Sequence, residues 1–153
     1  MNRRNFISYL IVGAVTFNLT PIYADEPNLP IDPWKATSVE EVINSLYGDR
    51  KIIQKSKRVI IKNPKEGASG AYFPLTIKSD LEAKKVIVMQ NANEFALVTI
   101  FNVPTNAIIE YSLKIKLRSR REGVLTVLIE DINGNLYLKN SAFETLSGGG
   151  CEG

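Results

Sequence analysis

The chain reads as a mainly β protein: an immunoglobulin-like antiparallel β-sandwich of about seven strands, with a short N-terminal helix and a flexible C-terminal arm. Three observations predict this. From Lys57 onward, apolar and polar residues alternate in short runs separated by turn residues. Helical spacing of apolar residues occurs over 38–47 and not again. Four of the ten glycines fall in the last seven residues, where little apolar surface is left to bury. The 153 residues suit one folded domain, and the boundaries read as 1–24, 25–146 and 147–153.

Residues 1–24 have the three-part plan of an export signal. Arg3 and Arg4 form the charged start, Ile7 to Leu19 is apolar, and Ile22-Tyr23-Ala24 places a small residue before a cut. The apolar run is shorter than the ~20 residues a membrane span needs. The run Arg3-Arg4-Asn5-Phe6-Ile7 resembles a twin-arginine signal, which places the protein in the periplasm. An ordinary secretory signal and an uncleaved anchor are the alternatives. Removing 24 of 153 residues leaves 129. It takes away two of 19 basic residues and none of 16 acidic ones, so the formal charge falls from +3 to +1. A near-neutral domain offers nucleic acid no general field, and after cleavage no membrane segment remains.

Pro27, Pro30 and Pro33 block helix over 25–36 and favour an extended lead-in. Ser38 and Glu41 then have capping-box spacing, and Val39, Val42, Ile43, Leu46 and Tyr47 form one apolar face. Gly48 is placed to end this helix. The strands are expected over 57–63, 71–79, 84–90, 95–102, 110–118, 123–131 and 135–145. Val86–Met89 and Val124–Ile129 are nearly continuous apolar runs, which suits central strands. Pro74 lacks a ladder donor and points to an edge or a bulge. Asn133-Gly134 predicts a type I′ hairpin turn. Tyr111, Leu113, Ile115 and Leu117 alternate with Ser112, Lys114, Lys116 and Arg118. The basic stripe Lys114, Lys116, Arg118, Arg120 and Arg121 reads as a solvated strand face that discourages edge pairing, with oxyanion attraction as the other reading. Glu130, Asp131 and Glu144 receive no chemical role.

Composition excludes much chemistry. With no histidine, a Ser-His-Asp or Cys-His pair and an imidazole metal site are impossible. With one cysteine there is no intramolecular disulfide and no Cys-rich metal site. No cofactor or metal is expected, and no general base or metal set supports an enzyme.

That cysteine, Cys151, lies in Ser147-Gly148-Gly149-Gly150-Cys151-Glu152-Gly153. A lone cysteine in an exported chain calls for an intermolecular or reactive role. Nothing nearby in sequence activates it: Glu152 and the terminal carboxylate both disfavour the thiolate. Such a tail is a poor active site but a good handle. Five Gly-rich residues reach about 12 Å on average and about 17 Å extended, enough to carry a bound group into another protein's site. The chain reads as a carrier whose chemistry is supplied by partners. The alternative is a non-catalytic periplasmic interaction module whose tail cysteine forms an intermolecular disulfide.

A β-sandwich ending in a Gly-Gly-Cys arm resembles the SoxY family, the sulfur-carrier subunits of the periplasmic Sox thiosulfate-oxidation system. The likeness includes Gly48-Asp49-Arg50, Asn63-Pro64, Gly67-Ala68-Ser69-Gly70, Phe73-Pro74 and Gly149-Gly150-Cys151. The resemblance implies that Cys151 is the covalent attachment site for sulfur intermediates and that Gly148, Gly149, Gly150, Glu152 and Gly153 belong to the arm. It also implies the partners: a SoxZ-like small β-sandwich subunit forming a heterodimer, a haem cytochrome that conjugates thiosulfate, a sulfate-releasing hydrolase and a sulfane dehydrogenase. Glu152 stands where the family motif has glycine. Its carboxylate adds bulk and charge beside the thiol, which calls for a wider or cation-bearing partner channel or for a divergent carrier of narrower role.

Overall fold

The computed structural model describes residues 31–65, 68–69, 72–118 and 121–146. The expected export signal over 1–24 and the arm over 147–153 lie outside the described residues. Asp32 accepts a bond from the Trp34 amide (3.0 Å) and starts a single 3-10 turn, Pro33–Lys35. The expected extended lead-in is corrected here, because proline disrupts a helix interior but suits its first position. Helix α1, Val39–Tyr47, begins where the capping signals put it. The Ser38 hydroxyl accepts from the Glu41 amide at 3.1 Å. The returning Glu41 carboxylate takes the Thr37 amide at 2.8 Å, one residue earlier than in the usual box. Gly48 ends the helix, its amide bonded to the Asn44 carbonyl.

Nine strands follow among the described residues: β1 Ile52–Ile53, β2 Val59–Lys62, β3 Ala68–Ser69, β4 Phe73–Ser79, β5 Ala83–Gln90, β6 Leu97–Asn102, β7 Ile109–Ile115, β8 Glu122–Asp131 and β9 Leu136–Leu146. The larger sheet runs β1-β9-β8-β5-β6, with β3 also on β9; the smaller runs β2-β4-β7. The seven expected strands are present with shifted ends. The two-residue strands β1 and β3 were not expected, and both pair parallel to β9, so the sheet is not wholly antiparallel.

The larger sheet is covered on both faces. Val86, Val88, Leu125, Val127, Ile129 and Phe143 meet the smaller sheet's Val59, Phe73, Leu75, Ile77 and Ile109. The alternate residues Ile87, Met89, Leu128, Leu136 and Leu138 meet Val42 and the rest of the helix face. Side chains of a strand point alternately to opposite faces. A strand buried on both must therefore be apolar throughout, which explains the continuous runs of β5 and β8.

Two local expectations change. β4 is the central strand of its sheet, not an edge, but Pro74 lies beyond the last β2 pair (Lys62 with Thr76), where β4 has a free side. The β8–β9 hairpin is where Asn133-Gly134 predicted it, yet the turn is not type I′. Of its two central residues only Gly134 has positive φ (83°). Gly134 N–H bonds to the Asp131 carbonyl and Asp131 N–H to the Asn135 carbonyl, a three-residue loop with a glycine bulge. The Asp131 carboxylate selects it by accepting from the amides of Asn133 (2.9 Å) and Asn135 (2.7 Å) and from the Asn135 side chain (2.9 Å).

Two outcomes are expected. A Cβ at Gly123 would lie 2.6 Å from Phe143 Cζ, inside the core. Gly123→Ala should cost about 1–3 kcal/mol, read as a lower urea midpoint with unchanged slope. Burial raises the Asp131 pKa, but the bonds from Asn135 and Asn133 outweigh it and leave the carboxyl below its ordinary value. A depressed carboxyl stabilises the fold above its unfolded pKa of about 3.9 and loses that contribution as pH falls through the folded value. Asp131→Ala should lower stability at neutral pH and flatten the stability profile below about pH 4, measured by denaturation across pH.

Candidate functional site: the base of the arm

Of the residues the sequence singled out, Cys151, Gly148, Gly149, Gly150, Glu152 and Gly153 all lie outside the described residues. What is described is the platform from which they depart, the final turns of β9. Phe143 anchors it in the core, with its ring 5.1 Å from that of Phe73. Thr145, two residues on, is only 1% exposed. Its hydroxyl donates to the Arg118 carbonyl at 2.7 Å and accepts from the Arg121 amide at 3.1 Å, and its own amide donates to the Arg121 carbonyl at 2.9 Å. On the other side Glu144 N–H donates to the Lys65 carbonyl at 2.7 Å, and β3 runs beside Thr145 and Leu146. The Asn63 side chain donates to Ala142 O at 3.2 Å and to Pro64 O at 2.8 Å.

The same end of the sandwich is tied together by side-chain amides. Gln90 is fully buried; its oxygen accepts from the amides of Ala92 (2.6 Å) and Asn93 (2.7 Å), and its nitrogen donates to Phe95 O (2.7 Å). This shapes the β5–β6 connection and aims Asn93, which donates to Lys116 O (2.9 Å) and accepts from Arg118 N (2.9 Å). Those bonds take the chain out of the β7 ladder at Ile115, earlier than the expected end at 118. The chain then runs on towards Thr145. Asn91 accepts from Val124 N at 2.7 Å and closes the set. A continuous path of hydrogen bonds thus links the β5–β6 loop, the segment after β7 and the last residues of β9.

The motif residues behind the resemblance have structural work here. Asn63-Pro64 clips β9, Ala68-Ser69 pairs with its end, and Phe73 packs on Phe143. Arg50 lies over the Tyr47 ring (5.1 Å to the centroid), donates to the Gly134 carbonyl and pairs with Glu130 at 3.4 Å. Glu130 is buried and also accepts from the Tyr47 hydroxyl at 3.0 Å. Burial, with Glu130 adding to it, pushes the Tyr47 hydroxyl up. This trio pins the helix end to the sheet and explains a carboxylate that had no expected role. Thr145, Asn93 and Gln90 were not found from sequence. Polar residues in or beside strands give no periodic signal, and their partners are backbone groups distant in the chain.

Thr145→Val keeps shape but removes the hydroxyl. The loss of its bonds should cost about 1–3 kcal/mol. Amide exchange at Arg121 and Thr145 should accelerate well beyond the global change, as the end of β9 frays.

The family model described as sulfur oxidation protein SoxY matches residues 43–151, from within α1 to Cys151. Among curated proteins, none matches the chain. Among solved structures, the sulfur carrier protein SoxY from Chlorobium limicola f thiosulfatophilum aligns with a TM-score of 0.63 at 24% identity, covering 73% of this chain and 95% of that one. A superoxide reductase (neelaredoxin) from Ignicoccus hospitalis aligns at 0.53 with 9% identity, covering 61% and 94%. At these identities the structural likenesses speak for the fold, whereas the family match spans most of the chain and all nine strands: the chain belongs to the SoxY family of sulfur oxidation proteins.

Proposed function

We propose that this chain is a periplasmic sulfur carrier, not itself an enzyme, that holds intermediates of thiosulfate oxidation covalently on Cys151 and presents them to partner enzymes on the arm 147–153. The observation that carries the reading is that the family match extends to Cys151, the chain's one cysteine. Three glycines immediately before it make a slim tether without side chains. The rigid β9 end supports the reading too, because a mobile handle is useful only when its base is fixed.

The chemistry divides between chain and partners. Cys151 supplies a thiolate, which forms a bond to the outer sulfur of thiosulfate. The thiol proton is released, and two electrons pass to the haem cytochrome. Hydrolysis of the resulting thiosulfonate by a partner hydrolase breaks the sulfur–sulfonate bond with one water. It releases sulfate and leaves a persulfide for a sulfane dehydrogenase. A SoxZ-like small β-sandwich subunit is the proposed dimer partner. Glu152 slows the first step by placing a negative charge beside both the thiolate and the incoming dianion.

Intact-mass analysis of the native protein, with and without reductant, tests this directly. Reductant-labile sulfur or thiosulfonate on Cys151 is expected. A thiol bearing only a protein–protein disulfide overturns the carrier in favour of an interaction module. Cys151→Ser should fold and bind its partner normally but abolish reconstituted thiosulfate oxidation. A like charge at about 4 Å in water is worth about 1 kcal/mol. Glu152→Gly should therefore speed the partner-free reaction of Cys151 with tetrathionate about fivefold, followed by thiosulfate release.

A further inference from the structure

We propose that Lys116, Arg118 and Arg121 form an oxyanion-holding surface at the base of the arm, on which the anionic sulfur group carried by Cys151 rests between transfers. The inference deepens the carrier reading and rests on it.

Sequence alone made these cations part of a solvated strand face. The structure puts them elsewhere. Lys116 and Arg118 have left the β7 ladder and Arg121 precedes β8, so none of the three lies on a paired strand. Asn93, in the β5–β6 loop, holds the backbones of Lys116 and Arg118, and Thr145, the second-last residue of β9, holds those of Arg118 and Arg121. The three side chains are exposed, and none takes part in an ion pair among the described residues. Three basic residues are thus held by their backbones in the hydrogen-bond network at the end of β9.

The acids nearby do not cancel them. Glu122 and Glu144 stand directly opposite each other across β8 and β9, so they share a face. Neighbouring residues of a strand face opposite ways, so the acidic pair lies on the opposite face of β9 from the Thr145 side chain, which bonds the backbones of Arg118 and Arg121. From Leu146 to Cys151 is five residues, a reach of about 12 Å, so the surface lies within the arm's range. Glu152, which has no counterpart in the glycine motif, meets the same cations.

The arm's own tethering decides the strength. A short flexible linker gives a bound group an effective concentration in the millimolar range. Exposed ion pairs are individually weak, so the resting state forms and dissolves readily and never competes with a partner's channel. Salt should abolish it.

The test uses the full chain and NMR. Tetrathionate converts Cys151 to a thiosulfonate: the thiolate bonds to one inner sulfur, the central sulfur–sulfur bond breaks and thiosulfate leaves. A neutral S-methyl disulfide cap on Cys151 is the control. The anionic cap should shift the amide signals of Lys116, Arg118, Arg121, Asn93 and Thr145, and high salt should erase the shift. The neutral cap should leave them in place. In an Arg118→Gln, Arg121→Gln double variant the shifts at Asn93 and Thr145 should be lost, while Arg118→Lys, Arg121→Lys should retain them. Identical spectra for the two caps, or shifts indifferent to salt and to the glutamine variant, overturn the proposal. Neither result touches the carrier reading, whose failure would appear as a native Cys151 that never carries sulfur.

Discussion

Burial of the larger sheet on both faces is the constraint on which the rest depends. A one-sided sheet would need only alternating apolar residues, and β7 shows that pattern on the smaller sheet's edge. β5 and β8 instead carry one set of side chains for the helix and another for the smaller sheet. Sandwich and helix are therefore coupled through the same two strands. This explains the investment at the helix end: Glu130 is buried on β8, where an unpaired carboxylate would be costly, and Tyr47 and Arg50 reach it from the C-terminal end of the helix. Breaking one partner leaves a buried charge, so the trio fixes where the helix stops.

The opposite end of the sandwich is built differently. Here the contacts are hydrogen bonds between backbone groups and the side chains of Gln90, Asn91, Asn93 and Thr145, with Asn91 accepting from the Val124 amide. Loops and strand ends carry main-chain donors and acceptors that a sheet ladder does not satisfy, and their burial demands partners. Amide side chains supply both donor and acceptor from one residue, which suits Asn93, able to take Lys116 O and Arg118 N together. The result is an end of the sandwich that is polar yet hydrogen-bonded through to Thr145.

Elements with a periodic or capping signature were legible in the sequence. Ser38, Glu41 and Gly48 delimit the helix within a residue, and the seven longer strands follow from alternation and turn residues. The failures share a cause. β1 and β3 are two residues long, too short for any period, and exist only because β9 offers its free side. The β8–β9 turn was located from Asn133-Gly134, but its type is set by Asp131, whose carboxylate bonds across the loop rather than to its immediate neighbours. The lysine and arginine stripe was read as continuous with β7, although a long-range bond from Asn93 ends the strand at Ile115. Cys151 stands out in the sequence by being alone but lies outside the described residues, whereas Thr145 and Asn93, which order the end of β9, give no signal in the sequence.

The position of Thr145 has a quantitative consequence for a carrier. In the proposed carrier, four residues lie between Leu146, the last of β9, and Cys151, and a flexible tether of those five residue steps would have a mean reach of about 12 Å. Were the last two residues of β9 to fray, the tether would have seven residues and a reach of about 15 Å. The volume searched grows as the cube of reach, so the local concentration of the carried group at any nearby site would fall by about 1.7-fold. Two residues is a small change in length, but it acts on every encounter the arm makes. It also moves the departure point away from Arg118 and Arg121, whose backbones Thr145 holds. In the proposed carrier the hydroxyl of one buried threonine would therefore set both how far the thiol travels and which charges lie near its departure point. A valine there would fill the same space and do neither.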